Sequence, residues 1–272
     1  MLDYHVHSTY SGDGKASVEQ MCERAVELHI TEIAFTEHLD HNPVDVSYGS
    51  FDVDSFCAQI DGARARFDGR LRILKGVEFG EPHLYQRQLE ELRADNLFDF
   101  IMGAVHWVGD TIVAIDAFSR LDAGELYRLY FDELLKAVEC GGFDVLAHFD
   151  LVKRYGVKYA GPFRLEPFRE QIASILAAMI EREIALEVNT SGLRQPCREP
   201  FPSFEILELY RQLGGDLITI GSDAHRIEQM GFGLREGLEM IRAAGYNSVA
   251  VYHGGQPQLV AIDSLTHACR GA

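Results

Sequence analysis

The sequence predicts an α/β fold, and three observations support the prediction. Short apolar strands alternate with amphipathic helices from the first residues to about position 252. The strands are apolar along their length, which is typical of parallel strands covered on both faces. Candidate ligand residues stand at the ends of six different strands. Only a closed ring brings all these ends to one mouth, so we predict a seven-stranded (β/α) barrel rather than an open doubly wound sheet.

Seven strand–helix units follow one another without a linker-like stretch between them. The first strand, 2–7, alternates apolar residues with Asp3, His5 and His7. The other predicted strands are 32–38, 71–80, 98–106, 144–148, 184–192 and 217–225. The predicted helices are 17–28, 53–67, 84–94, 123–140, 166–183, 204–213 and 234–244, and Ser17 with Gln20 forms a capping box. A run at 248–252 closes the predicted single domain, 1–263, which leaves a tail at 264–272.

Composition excludes several classes of partner. The chain has 272 residues and a formal net charge of −17, which disfavours binding to nucleic acid polymers or to an anionic membrane. Its five cysteines are scattered, so neither a disulfide framework nor a thiolate zinc site is indicated. No N-terminal signal is indicated, and no apolar run approaches the roughly 20 residues of a membrane span. We expect a soluble, cytoplasmic protein, and its oligomeric state is open.

The first strand carries the clearest chemical motif. Residues two apart lie on one face of a strand, so His5 and His7 point the same way and can bind one metal ion. The strand ends in a glycine- and serine-rich loop, 8–14, and the carboxyl end of a barrel strand is where a catalytic metal lies. A single H-x-H motif is also common on an edge strand without any ligand role.

Repetition of this arrangement decides in favour of a metal centre. Six histidines and three carboxylates stand at strand ends or in the first loop: His5, His7, Asp13, His38, Glu78, His106, His148, Asp223 and His225. Nine ligands are too many for one mononuclear site, and they suit two or three ions bridged by a carboxylate such as Glu78. Imidazole and carboxylate ligands without thiolate suit Zn²⁺, Mn²⁺ or Fe. Such a cluster makes hydroxide from water at neutral pH, which is hydrolytic chemistry.

The remaining histidines have a structural interpretation. They are His29, His41, His83, His253 and His267, of which His41 and His83 lie in loops on the active side and could touch substrate. Two arginines, Arg154 and Arg194, lie in predicted loops after strand ends, where a guanidinium can hold phosphate oxygens in a fork. A surface arginine paired with an acid is an equally good interpretation of each. Lys153, Arg198 and Arg226 are weaker candidates for the same role.

These motifs together resemble the polymerase and histidinol phosphatase (PHP) family. The resemblance rests on six ordered motifs spread over about 1–255: D-x-H-x-H at 3–7, T-E-H at 36–38, G-V-E at 76–78, His106, His148 and G-S-D-A-H at 221–225. The stretches 78–83, 150–155 and 189–194 are most similar to the stand-alone histidinol-phosphate phosphatases of that family. The resemblance implies a distorted (β/α)7 TIM-like barrel with a trinuclear metal centre.

The resemblance also implies a ligand set for each metal. His5, His7, Glu78 and Asp223 would hold the first ion, Glu78, His106 and His148 the second, and Asp13, His38 and His225 the third. Several family members have histidine where this chain has Asp13. Aspartate is a harder, anionic ligand, so the third site would prefer Mn²⁺ or Fe or be partly filled.

The expected reaction is phosphomonoester hydrolysis. A metal-bridging hydroxide would attack phosphorus in line, while Arg154 and Arg194 hold the equatorial oxygens and L-histidinol leaves. Glu78, Asp223 and His225 are the expected catalytic residues, and the group that protonates the alkoxide is open. Glu81, Asp40 and Asp45 are candidates for binding the amine and imidazole of the substrate, and the loop 39–53 is long enough to form a rim or lid.

Three other functions are compatible with parts of the pattern. A phosphoesterase acting on nucleotides or another small phosphate ester would use the same metals. A non-catalytic, metal-stabilised module that binds a partner would have lost several ligands, and all are present here. A metal-dependent amidohydrolase often places a lysine between its metals, where this chain has Glu78.

Overall fold

A computed structural model describes residues 1–114 and 117–266 of the chain. Its strands are β1 (Leu2–Val6), β2 (Glu32–Leu39), β3 (Arg72–Gly80), β4 (Phe100–Ala104), β5 (Trp107–Val108), β6 (Thr111–Ile112), β7 (Val145–Leu146), β8 (Ala185–Asn189), β9 (Ile218–Gly221), β10 (Ser248–His253) and β11 (Gln256–Ala261). Its α-helices are α1 (Val18–Glu27), α2 (Val53–Arg66), α3 (Gln86–Ala94), α4 (Ala117–Arg120), α5 (Ala123–Cys140), α6 (Lys153–Ala160), α7 (Arg169–Glu181), α8 (Phe204–Gln212), α9 (Leu234–Ala243) and α10 (Ile262–Thr266).

Seven parallel strands form one sheet that curls into a nearly closed barrel. They pair in the order β1-β2-β3-β4-β7-β8-β9, so each strand neighbours the next one along the chain. The ring closes between β1 and the end of β9, where the His7 N–H donates to the Ala224 carbonyl at 2.8 Å. Val6 and Ala224 form a parallel bridge at the same place. The predicted seven-stranded (β/α) barrel is confirmed.

The helices lie close to their predicted positions, and their apolar faces cover the barrel. In α1 the Ser17 side chain accepts from the Gln20 N–H and the Gln20 side chain accepts from the Ser17 N–H, which is the predicted capping box. The buried face of α1 includes Met21, Cys22 and Ala25. The predicted helix at 166–183 divides into a 3₁₀ turn at Glu166–Phe168 and α7, with Pro167 in the turn.

The strands end earlier than predicted at the carboxyl end of the barrel. β4, β7 and β9 stop two to four residues before His106, His148 and His225. The backbone at His148 has φ of +33° and at Asp223 +54°, conformations that leave the strand ladder. The predicted ligands therefore lie in turns just beyond the strands, where their side chains can turn into the mouth.

Several elements differ from the prediction in kind. A small hairpin, β5–β6, follows β4, and its two-residue strands are too short to show a period in sequence. Helix α6 occupies a stretch that was predicted as loop, so Arg154 lies in a helix. The predicted closing strand, β10, pairs antiparallel with β11 in a separate two-stranded sheet.

The predicted tail at 264–272 begins inside α10, and residues 267–272 lie outside the described part of the chain.

Aromatic residues close the amino end of the barrel. The ring of Phe100 stacks on Tyr4 at 5.6 Å and on Tyr252 at 5.0 Å, all three being buried. The Tyr252 N–H donates to the Tyr4 oxygen at 3.0 Å, and the Tyr252 hydroxyl donates to the Asp144 carbonyl at 3.0 Å. This end is packed and hydrogen-bonded, so access to the barrel interior lies at the carboxyl end. Within 1–114 and 117–266, no helix has the length and apolarity to cross a membrane.

Candidate metal centre

All nine predicted metal ligands lie together at the carboxyl ends of the barrel strands. β1 supplies His5, β2 supplies His38 and β3 supplies Glu78. The others follow strand ends or lie in the first loop: His7, Asp13, His106, His148, Asp223 and His225. Because parallel strands of a barrel end at one face, six separate segments of sequence meet here.

Glu78 is buried at the centre of this cluster, and its two oxygens face different histidines. Oε1 lies 2.8 Å from His148 Nε2 and 3.4 Å from His106 Nε2. Oε2 lies 3.1 Å from His38 Nδ1, 3.3 Å from His5 Nε2 and 3.4 Å from His7 Nε2. A carboxylate with one oxygen toward each side is oriented to bridge two ions.

Three groups of three residues have ligand atoms within 4.8 Å of one another. The first group is His5, His7 and Asp223, the second is Glu78, His106 and His148, and the third is His7, His38 and His225. The second group is the set that the resemblance implies for the second metal. Asp13, implied for the third metal, has Oδ2 3.2 Å from His225 Nε2 and Oδ1 3.7 Å from His38 Nε2.

The donor atoms of these groups fit divalent cations. The Nε2 atoms of buried His5 and His7 lie 3.0 Å apart, so two imidazole nitrogens converge on one point. Nδ1 of His38 and Nδ1 of His148 have no hydrogen-bond partner among the described residues. Imidazole and carboxylate donors without a cysteine in any of the three groups suit Zn²⁺, Mn²⁺ or Fe.

The electrostatics of the cluster prepare its carboxylates as ligands. Burial opposes ionisation of Glu78, but nearby His5 and His38 hold its pKa well below the usual range. Burial likewise opposes ionisation of Asp223, whose pKa is nevertheless lowered by His5 and His225. Burial lowers the pKa of His106, yet Glu78 outweighs it and raises that pKa to about 10. Since a ligating imidazole must be neutral, metal binding would release the proton of His106.

A cavity of about 490 Å³ opens over the cluster. Seven of the nine predicted ligands line it, and the two that do not are the fully buried His5 and His7. Arg154 and Arg194 also line it, together with apolar residues of the β5–β6 segment such as Ile112 and Val113. The cavity thus has a cationic wall and a metal-binding floor.

The two arginines are held differently. Arg194 lies in a 3₁₀ turn at Thr190–Arg194, where Nη1 donates to the Ser222 carbonyl at 2.8 Å and Nη2 to the Asp223 carbonyl at 2.6 Å. Arg154 lies in the first turn of α6, and its Nε has no hydrogen-bond partner among the described residues. Nε of Arg194 has no such partner either, so the difference lies in its two Nη atoms, which fix two backbone carbonyls, one of them that of the predicted ligand Asp223. The predicted placement of both arginines in loops was wrong.

The three weaker candidates for phosphate binding, Lys153, Arg198 and Arg226, differ in their position relative to the cavity. Lys153 is buried, and its Nζ donates to the Pro200 carbonyl at 2.8 Å and lies 2.9 Å from Asp150 Oδ2, so its donors are used inside the protein. Arg226 lines the cavity and Arg198 does not.

Neither loop histidine that was considered for substrate contact lines the cavity. His41 packs against the rings of Phe79 and Tyr85, and His83 Nε2 lies 2.7 Å from Glu133 Oε2. Among the other three, His253 contacts Arg72 and His29 lies exposed after α1, while His267 lies outside the described residues.

The acidic candidates for the cationic end of a substrate also differ in position. Asp40 and Asp45 line the cavity, whereas Glu81 does not. Asp45 accepts from the Trp107 indole N–H at 2.9 Å, which ties the loop after β2 to the β5–β6 hairpin. Glu81 accepts from the His106 N–H at 2.6 Å, so it supports a ligand rather than facing substrate.

Sequence reasoning missed the residues that hydrogen-bond to the ligands from behind. Glu187 Oε1 lies 2.6 Å from His5 Nδ1. Glu37 acts through a serine: it accepts from the Ser11 hydroxyl at 2.6 Å, and Ser11 Oγ lies 3.0 Å from His7 Nδ1. Both carboxylates are fully buried. The available signal was a charged residue within an apolar stretch of each strand, at 185–188 in β8 and at 33–37 in β2, because a buried charge requires a partner.

Comparison with known proteins agrees with this geometry. A family model described as the PHP domain matches residues 3–191, which is more than half of the chain. The chain belongs to the PHP domain family. The histidinol-phosphatase of Lactococcus lactis is 28% identical to it over 93% of this chain and 94% of that protein. The probable histidinol-phosphatase of Clostridium acetobutylicum is 28% identical over 88% of this chain and 92% of that protein.

Solved structures of PHP relatives have the same fold. The histidinol phosphate phosphatase of Lactococcus lactis, crystallised with zinc, L-histidinol and phosphate, superposes with a TM-score of 0.87 at 27% identity, covering 94% of this chain and 98% of that chain. A putative histidinol phosphatase of Listeria monocytogenes superposes with a TM-score of 0.74 at 20% identity, covering 87% and 99%, which shows the barrel fold alone. The distorted (β/α)7 barrel that the resemblance implied is confirmed.

Proposed function

We propose that this protein is a metal-dependent phosphatase that hydrolyses L-histidinol phosphate to L-histidinol and phosphate, a reaction of histidine biosynthesis. The observation that carries the proposal is the shared cavity, in which three metal-binding groups face two arginines. Support comes from a relative of the same fold that was crystallised with zinc, L-histidinol and phosphate. The net charge of −17 favours a small phosphate ester over a nucleic acid polymer.

The three groups would hold up to three divalent ions, Zn²⁺, Mn²⁺ or Fe, and Glu78 would contribute a carboxylate oxygen toward each side of the cluster. When bound, such ions lower the pKa of water and neutralise charge on a phosphoryl group. Glu78, Asp223 and His225 are the catalytic residues of this proposal, because each belongs to a ligand group and also borders the cavity. Asp13 completes the third group from the loop side.

The cavity walls would orient the substrate. Arg154 takes the phosphate oxygens from one side, and Arg194 adds the N–H groups that do not hold the Ser222 and Asp223 carbonyls; Nε of each arginine has no partner among the described residues. Asp40 and Asp45 offer carboxylates to the amine and imidazole of histidinol. The compartment we propose is the cytoplasm, in keeping with four described cysteines that form no disulfide.

The deciding experiment compares substrates on enzyme whose metal content has been counted. Phosphate release is measured from L-histidinol phosphate, a mononucleotide and p-nitrophenyl phosphate. We expect kcat/KM for L-histidinol phosphate to exceed the other values at least a hundredfold, which is about 2.7 kcal/mol of transition-state discrimination. The Glu78→Gln variant, purified identically, shows how much activity comes from contaminants.

Equal, low rates on fully metallated enzyme would reject L-histidinol phosphate as the substrate. A preference for the mononucleotide would mean that the same metal centre hydrolyses nucleotides.

A further inference from the structure

Two buried carboxylates outside the predicted ligand set contact different parts of the metal centre. Glu187 of β8 and Glu37 of β2 have no exposed surface. Neither faces the cavity, so neither can touch substrate. A buried carboxylate is retained only where hydrogen bonds compensate its desolvation, and here the bonds lead to the predicted metal ligands.

Glu187 joins a ligand of the first group to a ligand of the second. Oε1 lies 2.6 Å from His5 Nδ1, and Oε2 accepts from the His148 N–H at 2.9 Å and from the Asn189 amide at 3.1 Å. The carboxylate therefore keeps the proton of His5 on Nδ1 and leaves Nε2 free as a ligand. Its second oxygen anchors the backbone of His148 where φ is +33°.

The backbone of β9 packs closely against the Glu187–His5 pair. A Cβ atom added at Gly221 would lie 2.3 Å from His5 Cβ and 2.8 Å from Glu187 Oε1. Glycine at this position therefore permits the close approach of β9 to the Glu187–His5 pair. The pair joins β1 to β8, and β9 packs directly against it.

Glu37 acts on the third group through Ser11. The Ser11 hydroxyl donates to Glu37 Oε2 at 2.6 Å. The two lone pairs of the Ser11 oxygen are then available to accept from other donors. Ser11 Oγ accepts from the His38 N–H at 3.0 Å and lies 3.0 Å from His7 Nδ1, which donates to it. The other oxygen of Glu37 accepts from the Ser8 hydroxyl at 2.6 Å. Every hydrogen-bonding position of Ser11 is thus used, and two ligands of the third group depend on it.

We propose that these two carboxylates control different metal sites. Glu187 is the positioning residue of the second group, and the Glu37–Ser11 pair is the positioning pair of the third group. The first group depends on both, because Glu187 orients His5 and Ser11 orients His7. Loss of one should therefore weaken one site and spare another, which a general packing defect would not do.

The test uses enzyme stripped by a chelator and reloaded with Mn²⁺ alone. Mn²⁺ affinity is measured by competition with a chelator of known affinity, and anomalous density from crystals at limiting Mn²⁺ gives the occupancy of each group. For Glu187→Gln we expect affinity at the second group to fall roughly 10- to 100-fold with the third group unchanged. For Ser11→Ala we expect Mn²⁺ affinity at the third group to fall by a similar factor, with the second group unchanged.

The variants carry their own controls. Glutamine keeps the volume of Glu187, but its amide cannot accept from both His5 and the His148 N–H. Glu187→Asp keeps the charge and withdraws both oxygens, so it should weaken the second group as well, and it serves if the glutamine variant does not fold. Glu199→Gln makes the same change on a carboxylate that pairs with Lys153, and it should bind Mn²⁺ as the wild type does.

Two results would overturn the proposal. One is wild-type occupancy of the second group in both Glu187 variants. The other is an equal loss at all three groups in the Glu187 and Ser11 variants, which would assign both residues to general packing.

Discussion

The two ends of the barrel use the same unusual backbone conformation for different purposes. Positive φ angles occur at His29, Asn96 and Glu183 near the amino end and at Glu81, His148 and Asp223 near the carboxyl end. The left-handed conformation costs a non-glycine residue about 1–2 kcal/mol. The first three residues are exposed, whereas Glu81 and His148 are buried and Asp223 is partly buried.

At the amino end the conformation terminates helices. His29, Asn96 and Glu183 each stand two residues after the last residue of α1, α3 or α7. A left-handed residue at this position is a common way to end a helix and satisfy its last carbonyls. The chain then turns directly into β2, β4 or β8, so these residues serve the connectivity of the barrel alone.

At the carboxyl end the same conformation follows strands and directs functional groups. Glu81 accepts from the His106 N–H, the His148 N–H donates to Glu187, and the Asp223 carbonyl accepts from Arg194. Each strained residue is held by a buried or partly buried hydrogen bond that also involves a predicted ligand. Strain at this end belongs to the site, whereas strain at the other end can be relieved without affecting it.

The largest effect should come from the cationic wall. We expect Arg154→Ala to lower kcat/KM about 10²- to 10³-fold, or about 2.7–4 kcal/mol, because it removes donors aimed at the phosphate. The melting temperature should change little, since the Arg154 guanidinium, unlike that of Arg194, holds no backbone carbonyl of the described residues. Steady-state kinetics and thermal melts measure both effects.

Arg194→Ala is the matched control, because Arg194 holds the Ser222 and Asp223 carbonyls. It should lose activity, metal and stability together. If the Arg154 variant lost stability and metal to the same extent, the distinction between the two arginines would be wrong.

The position of the site was predictable because its ligands lie where strands end, a feature that periodicity locates to within a few residues. The predicted strands extend to His106 and His148, whereas both residues lie just beyond strand ends in the structure. At His148 the reason is a positive φ, which leaves no mark in a sequence. Glu187 was not identified, since its partner His5 is 182 residues away. The bonds from Arg194 to two carbonyls were likewise invisible, because backbone acceptors carry no residue signature.

A second effect should appear in the pH dependence of stability. Burial raises the pKa of Asp40 to about 8, above its ordinary value of 3.8, in the metal-free protein. Between these values the folded state holds a proton that the unfolded state has lost, so stability falls as pH rises. The slope for one proton approaches about 1.4 kcal/mol per pH unit, and it ends above the folded pKa.

Asp40→Asn removes this titration. Urea unfolding of metal-free protein at pH 5 to 8.5 should show the variant gaining stability over the wild type as pH rises. Parallel curves for the two proteins would show that Asp40 ionises normally, so burial at the carboxyl end would not disfavour its charge.

The smallest effect concerns the amino end alone. Glu183→Gly places glycine where φ is +56°, at an exposed position after α7, and should stabilise the protein by roughly 0.5–1 kcal/mol. The gain is limited because glycine also raises the entropy of the unfolded chain. Glu183→Ala keeps the strain and should not stabilise. Since this residue does not contribute to the site, kcat/KM should equal that of the wild type, and a changed kcat/KM would mean that the two ends are coupled.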